Sequence, residues 1–365
     1  MNYYVLTEPD VSENFWNRKY ISGMKAGARE SKGSLIEIDV EDICTIKDES
    51  KRITVIINGR SSAWIDHSVE TVLRNNCLPV LMAANNSQSK HHVSSVGFDF
   101  YGIYTSWCEY VLIQGWRNMA LLGVNRDTAG DMLKCEAFMD YNSRHNKENR
   151  YDVYYIESSL EECCKRFLEK AGEYDAVLCT NDLISIILVT LIRKQVINDN
   201  LQIYAFWDSP LSEYIRPKVK TISLDYAELG RQAIKVSSFL AKNPNIAVLS
   251  VTVCGQTEMT ERKICSIKSE NAGDTFLKDR RAQEIYSLEN LFSSIDSNDM
   301  QIICGIIDGI SYERLAEKLS ISIGAIKYRV KRMLTIAQRK DRNEFVNLIQ
   351  EYFSMDNAAQ CLEMV

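Results

Sequence analysis

Short apolar runs alternate with longer amphipathic segments along most of the chain, up to about Ser266. The short runs are rich in β-branched residues and predict strands, whereas apolar residues spaced three or four apart predict helices. The predicted strands are NYYVLT, SLIEID, ITVIIN, LPVLMA, HVSSVGFD, MALLGV, DVYYIE, DAVLCT, LQIYAFW and TISLD. Helices are predicted over 16–31, 65–76, 103–115, 130–145, 159–171, 182–195 and 226–241. This alternation indicates α/β architecture with parallel sheets flanked by helices, and the number of elements suits two similar lobes.

The pattern changes after the α/β region. Residues 266–286 are polar at first and predict a linker that becomes helical toward Tyr286. Residues 287–353 predict a small all-α domain, followed by a tail over 354–365. Within it, DGISYERLAEKLSISIGAIKYRVKRML predicts two short helices joined by a tight turn, with Ser322 as the N-cap of the second. The apolar stripes of the two helices are Leu315, Ala316 and Leu319, then Ile323, Ile326, Val330 and Met333.

Basic residues cluster in and after the second of these helices, although the whole chain has a net charge of -6. The cluster consists of Lys327, Arg329, Lys331, Arg332, Arg339, Lys340 and Arg342, with Asp341 as its single acidic member. A polyanion could dock there, with phosphates giving affinity and bases giving specificity. The sequence therefore predicts double-stranded DNA as a partner. The alternative is an amphipathic helical pair whose basic face is simply solvated.

The segment YERLAEKLSISIGAIKYRVKRML resembles the LuxR-type helix-turn-helix. Ala325 and Ile326 take the places of that family's Thr and Val, and Lys327 keeps its Lys. Ala325 lacks the hydroxyl that often touches phosphate. The resemblance implies that DNA is contacted by Ser322, Ala325, Lys327, Tyr328, Arg329, Lys331 and Arg332. The following segment, TIAQRKDRNEFVNLIQEYF, resembles the family's closing helix, which implies a dimerisation surface and a homodimer.

The composition is that of a globular protein, with 45% hydrophobic and 25% charged residues. No apolar run approaches the roughly 20 residues that span a bilayer, and the first residues do not have the pattern of a signal peptide. We therefore expect a cytoplasmic protein without a membrane partner. The eleven cysteines lie mostly in apolar runs, so we expect reduced core residues rather than a disulfide scaffold or metal site.

Polar and aromatic residues follow several predicted strands or precede the helices after them. Asn181 follows DAVLCT, Asp208 follows LQIYAFW, and Phe15 and Trp16 precede the first helix. Two lobes of this kind bind a ligand in the cleft at their strand ends, where amides, carboxylates and aromatic faces suit a polyol or a flat polar ring. The alternative is that Asn181 and Asp208 cap helices and that the aromatic pair forms an N-terminal staple.

Residues 1–265 resemble the ligand-binding domain of lactose- and galactose-repressor-type regulators, which is similar to periplasmic sugar-binding proteins. The resemblance is carried by VGFDFYGIYTSWCEYVLIQGWRNMALLG, DAVLCTNDLISIILVTLIRKQVINDNLQIYAFWDSP and RPKVKTISLDYAELGRQAI. It implies lobe crossovers near 100, 222 and 250, and ligand contacts from Phe15, Trp16, Lys134, Tyr155, Asn181 and Asp208. Lys134 replaces a ligand-gripping Arg and cannot form its bidentate fork. Leu224 replaces a polar residue that sugar binders often use, which argues against a simple hexose.

Together these features predict a ligand-responsive transcriptional regulator whose small, sugar-like effector modulates a C-terminal helix-turn-helix. The motifs of acyl transfer, nucleotide phosphate binding and dinucleotide binding do not occur, so neither an enzyme nor a cofactor is expected. Two alternatives remain. One is a solute-binding protein of a transport system, and the other is a ligand-free dimerisation scaffold that carries the DNA-binding module.

Overall fold

The computed structural model describes residues 1–9, 15–46, 53–59, 61–82, 91–145, 149–193, 201–206, 211, 219–222, 224–253, 259–260 and 279–353. The first elements are β1 (Asn2–Thr7), α1 (Phe15–Glu30), β2 (Ser34–Glu37), β3 (Thr54–Asn58), α2 (Ser62–Arg74), β4 (Leu78–Met82), β5 (Ser94–Phe98) and α3 (Phe100–Ile113). Then follow β6 (Met119–Val124), α4 (Ala129–His145), β7 (Tyr151–Tyr155), α5 (Leu160–Leu168), β8 (Ala176–Cys179), α6 (Asp182–Arg193), β9 (Gln202–Phe206), β10 (Lys220–Ile222), α7 (Tyr226–Lys242), β11 (Ser250–Val253) and β12 (Met259–Thr260).

The strands form two six-stranded sheets, one in each lobe. The first has the order β11-β5-β4-β3-β1-β2 and is parallel throughout. The second has the order β12-β10-β9-β8-β6-β7, in which β12 pairs antiparallel with β10 and the other pairs are parallel. Helices pack against both sheets, so the predicted two-lobed α/β fold is confirmed.

The ten predicted strands and seven predicted helices are all present, with shifts at their ends. The strands β11 and β12 were not predicted from the sequence. Both lie at sheet edges, and residues 250–253 alternate between exposed and half-buried positions, so they lack a long apolar run. The short 3-10 helix Val40–Thr45, in which Ile43 is the buried residue, was not predicted either.

The chain passes between the lobes three times, and aromatic side chains pack around two of these crossings. Phe98 at the end of β5 contacts Phe100 and Tyr226, with ring centroids 6.0 and 5.6 Å apart. At the third crossing, the Asp99 N–H donates to the carbonyl oxygen of Val253 over 3.4 Å. The crossings therefore lie side by side, as a hinge requires.

Five helices form the C-terminal domain: α8 (Arg280–Ser294), α9 (Ser297–Ile307), α10 (Tyr312–Leu319), α11 (Ile323–Ile336) and α12 (Arg342–Tyr352). Its apolar residues continue the core of the second lobe, because one buried cluster includes α5 and α6 together with these five helices. The predicted linker, 266–286, lies outside the described residues up to 278, and α8 begins at Arg280 rather than near Tyr286.

Seven described cysteines are free, and all of them except Cys44 are buried, as expected of reduced core residues. Cys304 departs from that expectation because it is disulfide-bonded. Within the described ranges, no helix combines the length and the apolar character needed to cross a bilayer.

Candidate functional site

Polar side chains occupy the carboxyl ends of the strands in the first lobe. Glu8 follows β1, is 8% exposed, and accepts hydrogen bonds from the Ser61 N–H and hydroxyl. Beside it, the buried Asn58 side chain at the end of β3 donates to Asn17 of α1. These bonds join the start of α2 to the strand ends and fix the polar wall that the first lobe presents to the second.

Lys134 forms part of the corresponding wall in the second lobe. Its side chain is 3% exposed, and its ammonium donates to Asp131 Oδ1 and to the Thr180 carbonyl oxygen, both at 2.9 Å. Its ammonium nitrogen lies 5.2 Å from the centroid of the Phe100 ring. Lys134 thus connects α4 with the end of β8, and these contacts lie beneath the cleft surface.

Asn181 lies where β8 ends and α6 begins. Its side-chain oxygen accepts from the Ile184 N–H over 3.0 Å, so it caps α6 in the way that the alternative interpretation expected. It is 9% exposed. Asp208 lies outside the described residues, as do the side chains of Phe15 and Trp16, whose backbone begins α1.

A cavity of about 840 Å³ separates the start of α2 from the β6–α4 segment, and therefore lies between the lobes. It is lined by Ser61, Ser62, Ala63, Arg126, Asp127, Met132, Leu133, Cys135, Glu136 and Met139. Three of the predicted ligand residues have described side chains, Lys134, Tyr155 and Asn181, and none of these three belongs to this lining. Its size suits a small molecule, and its lining offers hydroxyls, two carboxylates, one guanidinium and apolar side chains.

Tyr155 adjoins this cavity without lining it. The Arg126 guanidinium lies 3.5 Å from the centre of the Tyr155 ring, and the Tyr155 hydroxyl is 3.5 Å from Cys135 Sγ. The hydrogen bond with Cys135 and partial burial raise the pKa of Tyr155 above its usual value, so the phenol stays neutral. Arg126 was not predicted, because a residue in a loop after a strand has no periodicity that marks it.

In the C-terminal domain, α10 and α11 are two helices joined by a tight turn. Ser320 between them has a left-handed backbone (φ 54°), which ends α10 and turns the chain. Ser322 then caps α11, and its hydroxyl accepts from the Ala325 N–H over 3.1 Å. Ile326, Val330 and Met333 are buried, so one face of α11 packs into the domain.

Two arginines of α11 form ion pairs within the domain. Arg329 binds Asp296 at 2.9 Å and Asp299 at 2.8 Å, and Arg332 also binds Asp299. The carboxylate of Asp299 has no exposed surface. Hydrogen bonds to Asp299 and Asp296 raise the pKa of Arg329. Both guanidinium groups therefore hold α11 against the start of α9.

Two further arginines of the predicted basic cluster also have partners inside the protein. Arg342 donates to the carbonyl oxygens of Ile306 and Ile310, and Arg339 lies 3.6 Å from Glu284. The sequence count of basic residues thus overstates the charge available to a polyanion, because pairing partners distant in sequence are not visible in it.

Lys327, Tyr328 and Lys331 form the outward stripe of α11 together with Gly324. Tyr328 is 70% exposed. The side chains of Lys327, Tyr328 and Lys331 form no hydrogen bond or salt bridge with any residue that the structure describes. This stripe begins directly after the N-cap, at the end of the helix that a helix-turn-helix inserts into the major groove.

α12 buries its apolar face in its own chain, with Phe345, Leu348, Ile349 and Tyr352 all inside. The apolar face of α12 is thus covered by α6 of the second lobe and by α9. Arg193, the last residue of α6, donates to the carbonyl oxygens of Tyr352, Glu351 and Gln350 at 2.6, 3.0 and 3.4 Å. These are the orphan acceptors at the end of α12.

Two further contacts connect α5 with α8. The Leu160 N–H donates to Asp279, the N-cap of α8, and Arg281 binds Glu161 over 2.8 Å. Hydrogen bonds from Arg281 and Lys165 lower the pKa of Glu161 to about 2. The second lobe and the C-terminal domain consequently form one packed unit.

The architecture is that of two-lobed, periplasmic-binding-protein-like domains with an added helical domain. A LacI family transcriptional regulator from Enterococcus faecium, solved with bound ribose, has a TM-score of 0.54 at 16% identity, covering 70% of this chain and 96% of that one. GanP, a glucose-galactose binding protein from Geobacillus stearothermophilus, has a TM-score of 0.57 at 18% identity, covering 71% and 96%. At such identities the likeness shows the fold.

A curated relative is the HTH-type transcriptional regulator TreR of Escherichia coli (strain K12), which is 26% identical over 146 residues. The match covers 38% of this chain and 44% of TreR, so it spans less than half of the relative's length. A comparison with models of known protein families found no match.

Proposed function

We propose that this protein is a ligand-responsive, DNA-binding transcriptional regulator, in which α11 contacts double-stranded DNA and a small polar, sugar-like effector binds between the lobes. One observation carries the proposal: α11, capped by Ser322 and joined to α10 by a tight turn, presents Lys327, Tyr328 and Lys331 outward and shares its core with the second lobe, which lines the cleft. The resemblance of the segment to LuxR-type domains and the partial match to TreR support it.

Fewer side chains of α11 are available to contact DNA than the sequence suggested. Lys327 and Lys331 are placed to contact phosphate or base edges, and the α11 N-terminus adds its positive dipole end. We propose that Arg329 and Arg332 position this surface through Asp296 and Asp299 and do not contact DNA themselves. Ser322 caps the N-terminus of α11, and the small side chain of Ala325 leaves space for DNA next to this cap.

The effector site is proposed at the interlobe cavity. Arg126 and the hydroxyls of Ser61 and Ser62 supply hydrogen bonds from opposite lobes, while Met132 and Met139 supply apolar contacts. A ligand that touches both lobes binds the closed arrangement better than the open one, which is the condition for driving closure. Lys134 and Asn181 would support the strand ends beneath it.

The signal would pass through α6. This helix starts at the strand ends with Asn181 and finishes at Arg193, which holds the end of α12. Ten consecutive residues, Asp182–Leu191, are buried, so the helix has no room to tilt independently. Closure therefore moves the first lobe against a unit made of the second lobe and α8–α12. In a homodimer, that motion changes the spacing of two α11 helices relative to the half-sites.

The direct test is a fluorescence anisotropy titration of the full chain with duplexes enriched from genomic DNA. We expect affinity that falls with salt, because bound phosphates release counterions. Lys327→Ala and Lys331→Ala should each weaken binding and reduce the slope of log K against log salt by about 0.9 per lost contact. Lys242→Ala, which removes the same charge from the exposed end of α7, is the matched control.

The same titration tests the switch when it is repeated with sugars and sugar phosphates. A true effector changes the DNA affinity and also stabilises the fold by RT ln(1 + [L]/Kd). Stabilisation without any change in DNA affinity would support a solute-binding role instead. Absence of salt-dependent duplex binding by the folded protein would rule out the proposed function.

A further inference from the structure

The C-terminal domain exposes two large apolar side chains, and both lie on α11. Within residues 279–353, all of which are described, Ile323 is 39% exposed and Tyr328 is 70% exposed, whereas the other large apolar residues are buried or half-buried. The aromatic ring of Tyr328 is therefore largely exposed to solvent and does not contribute to the core of the domain. With 3.6 residues per turn, Ile323 and Tyr328 lie at the two edges of the exposed face of α11, and Gly324, Lys327 and Lys331 lie between them.

The usual reader of guanine is not available on this face. Arginine recognises guanine through a bidentate pair of hydrogen bonds to O6 and N7, the commonest specific contact in the major groove. The two arginines of α11, Arg329 and Arg332, are held by Asp296 and the buried Asp299. The outward side of the helix thus offers ammonium groups, an aromatic ring, an aliphatic chain and bare backbone.

That combination is complementary to one base edge. The thymine 5-methyl group is the apolar feature of the major groove, and apolar side chains pack against it. Gly324 has no side chain, so a base edge can approach the helix backbone closely there. A Cβ added at this position would meet only the Ser322 hydroxyl, at 3.7 Å, so the fold itself does not require a glycine. Resting on the proposed function, we infer that Tyr328 is a specificity-determining residue that reads thymine methyl groups, with Ile323 making a second contact of the same kind.

The experiment replaces thymine by uracil, which removes the methyl group and keeps base pairing. Duplexes that bind the full-length protein are selected from a random pool, and each thymine of the consensus is then exchanged singly. We expect a loss of about fourfold in affinity, the worth of one buried methyl-sized group, at one or two positions in each half-site. Other thymines should be insensitive.

Variants connect the effect to the side chain. With Tyr328→Ala, the uracil penalty should vanish at its position, since a double-mutant cycle removes the same contact from both sides. Tyr328→Phe keeps the ring and should keep the penalty. Lys331→Ala should weaken every duplex equally while the penalty remains. Because Tyr328 is largely exposed, we expect none of these substitutions to destabilise the folded protein.

The outcomes separate the two proposals. Salt-dependent DNA binding that tolerates uracil everywhere overturns the thymine inference and leaves the proposed function intact. A uracil penalty that survives Tyr328→Ala also overturns it, since another residue then reads the methyl group. If the folded protein binds no duplex at all, the proposed function fails and this inference fails with it.

Discussion

Asp299 fixes the orientation of α11 from inside the C-terminal domain. Its carboxylate accepts from the Asp296 N–H, completing a capping box at the start of α9, and binds Arg329 and Arg332 of α11. A fully buried carboxylate is tolerated because two guanidinium groups and a backbone N–H satisfy it. One side chain therefore connects the start of one helix to the orientation of another.

We predict that Asp299→Asn destabilises the protein by about 3 kcal/mol, because the neutral amide leaves two arginines without a buried counter-charge. Arg332 would keep only its hydrogen bond to the Ser294 carbonyl oxygen, 3.4 Å from Nη2, and its Nε is already buried without a hydrogen-bond partner. The measurement is urea unfolding of the full chain. Glu317→Gln, the same charge change at an exposed position of α10, should leave the midpoint in place. Equal midpoints for the two variants would contradict the structural role of Asp299.

For single residues, the sequence predicts roles that depend on nearby residues better than roles that depend on distant ones. The N-cap role of Ser322 was correctly predicted, because a cap depends on neighbours two or three positions away. The pairing of Arg329 with Asp299 spans 30 residues, and Lys134 depends on the carbonyl of Thr180. Such distant partners are set by tertiary packing, so local spacing does not reveal them.

At the scale of elements, the helices α1 and α7 approach each other until their backbones are in contact. A Cβ built on Gly23 would lie 1.9 Å from the Ala227 carbonyl oxygen, and one on Gly230 would lie 2.2 Å from that of Tyr20. The two backbones cross in direct contact where these glycines face the opposite helix. α7 follows one lobe crossing and precedes β11, so this contact fixes the first lobe beside the hinge.

We expect Gly23→Ala to destabilise the fold by about 1–3 kcal/mol or more, since the methyl group forces the helices apart. Helix propensity alone predicts the opposite sign, with alanine better than glycine by about 1 kcal/mol. Thermal unfolding distinguishes the two. Gly172→Ala serves as the comparison, because its Cβ would meet nothing within 4 Å. An unchanged or raised Tm for Gly23→Ala would show that the crossing relaxes freely.

Element types were predictable where the period was strong. Strands such as β3 and β6 are buried along their whole length and therefore appear as continuous apolar runs. β11 and β12 were not predicted, because edge strands bury less apolar surface and therefore do not appear as apolar runs in the sequence. The alternation of elements also predicted the two lobes, but not the docking of α12 on α6, which no local pattern encodes.

In the whole molecule, the boundary between the second lobe and the C-terminal domain is a packed interface with charges at its rim. Glu161 binds Arg281 at 2.8 Å and Lys165 at 2.9 Å. These partners lower its pKa from the ordinary 4.5 to about 2. Because the folded-state pKa is depressed, the stabilisation is complete above about pH 4.5 and is lost as the pH falls toward 2.

Glu161→Gln should therefore lower stability at pH 7 by about 1–2 kcal/mol once solvent screening is allowed for. The difference from the unaltered protein should shrink steadily as the pH falls from about 4.5 toward 2, because the Glu161 carboxylate then becomes protonated and, like the glutamine, carries no charge. Thermal unfolding across this range measures it. Glu169→Gln, at the exposed end of α5, should show no comparable trend. A gap that stays constant with pH would assign the effect to packing rather than charge.

The continuous apolar cluster through α5, α6 and α8–α12 also limits how the protein can be rebuilt. A fragment beginning at α8 would leave solvent touching surfaces that α5 and α6 normally cover, and such patches promote aggregation. The C-terminal domain therefore cannot be transferred to another protein as a separate unit. A chimaera that contains it must also carry the matching faces of α5 and α6, and above all Arg193.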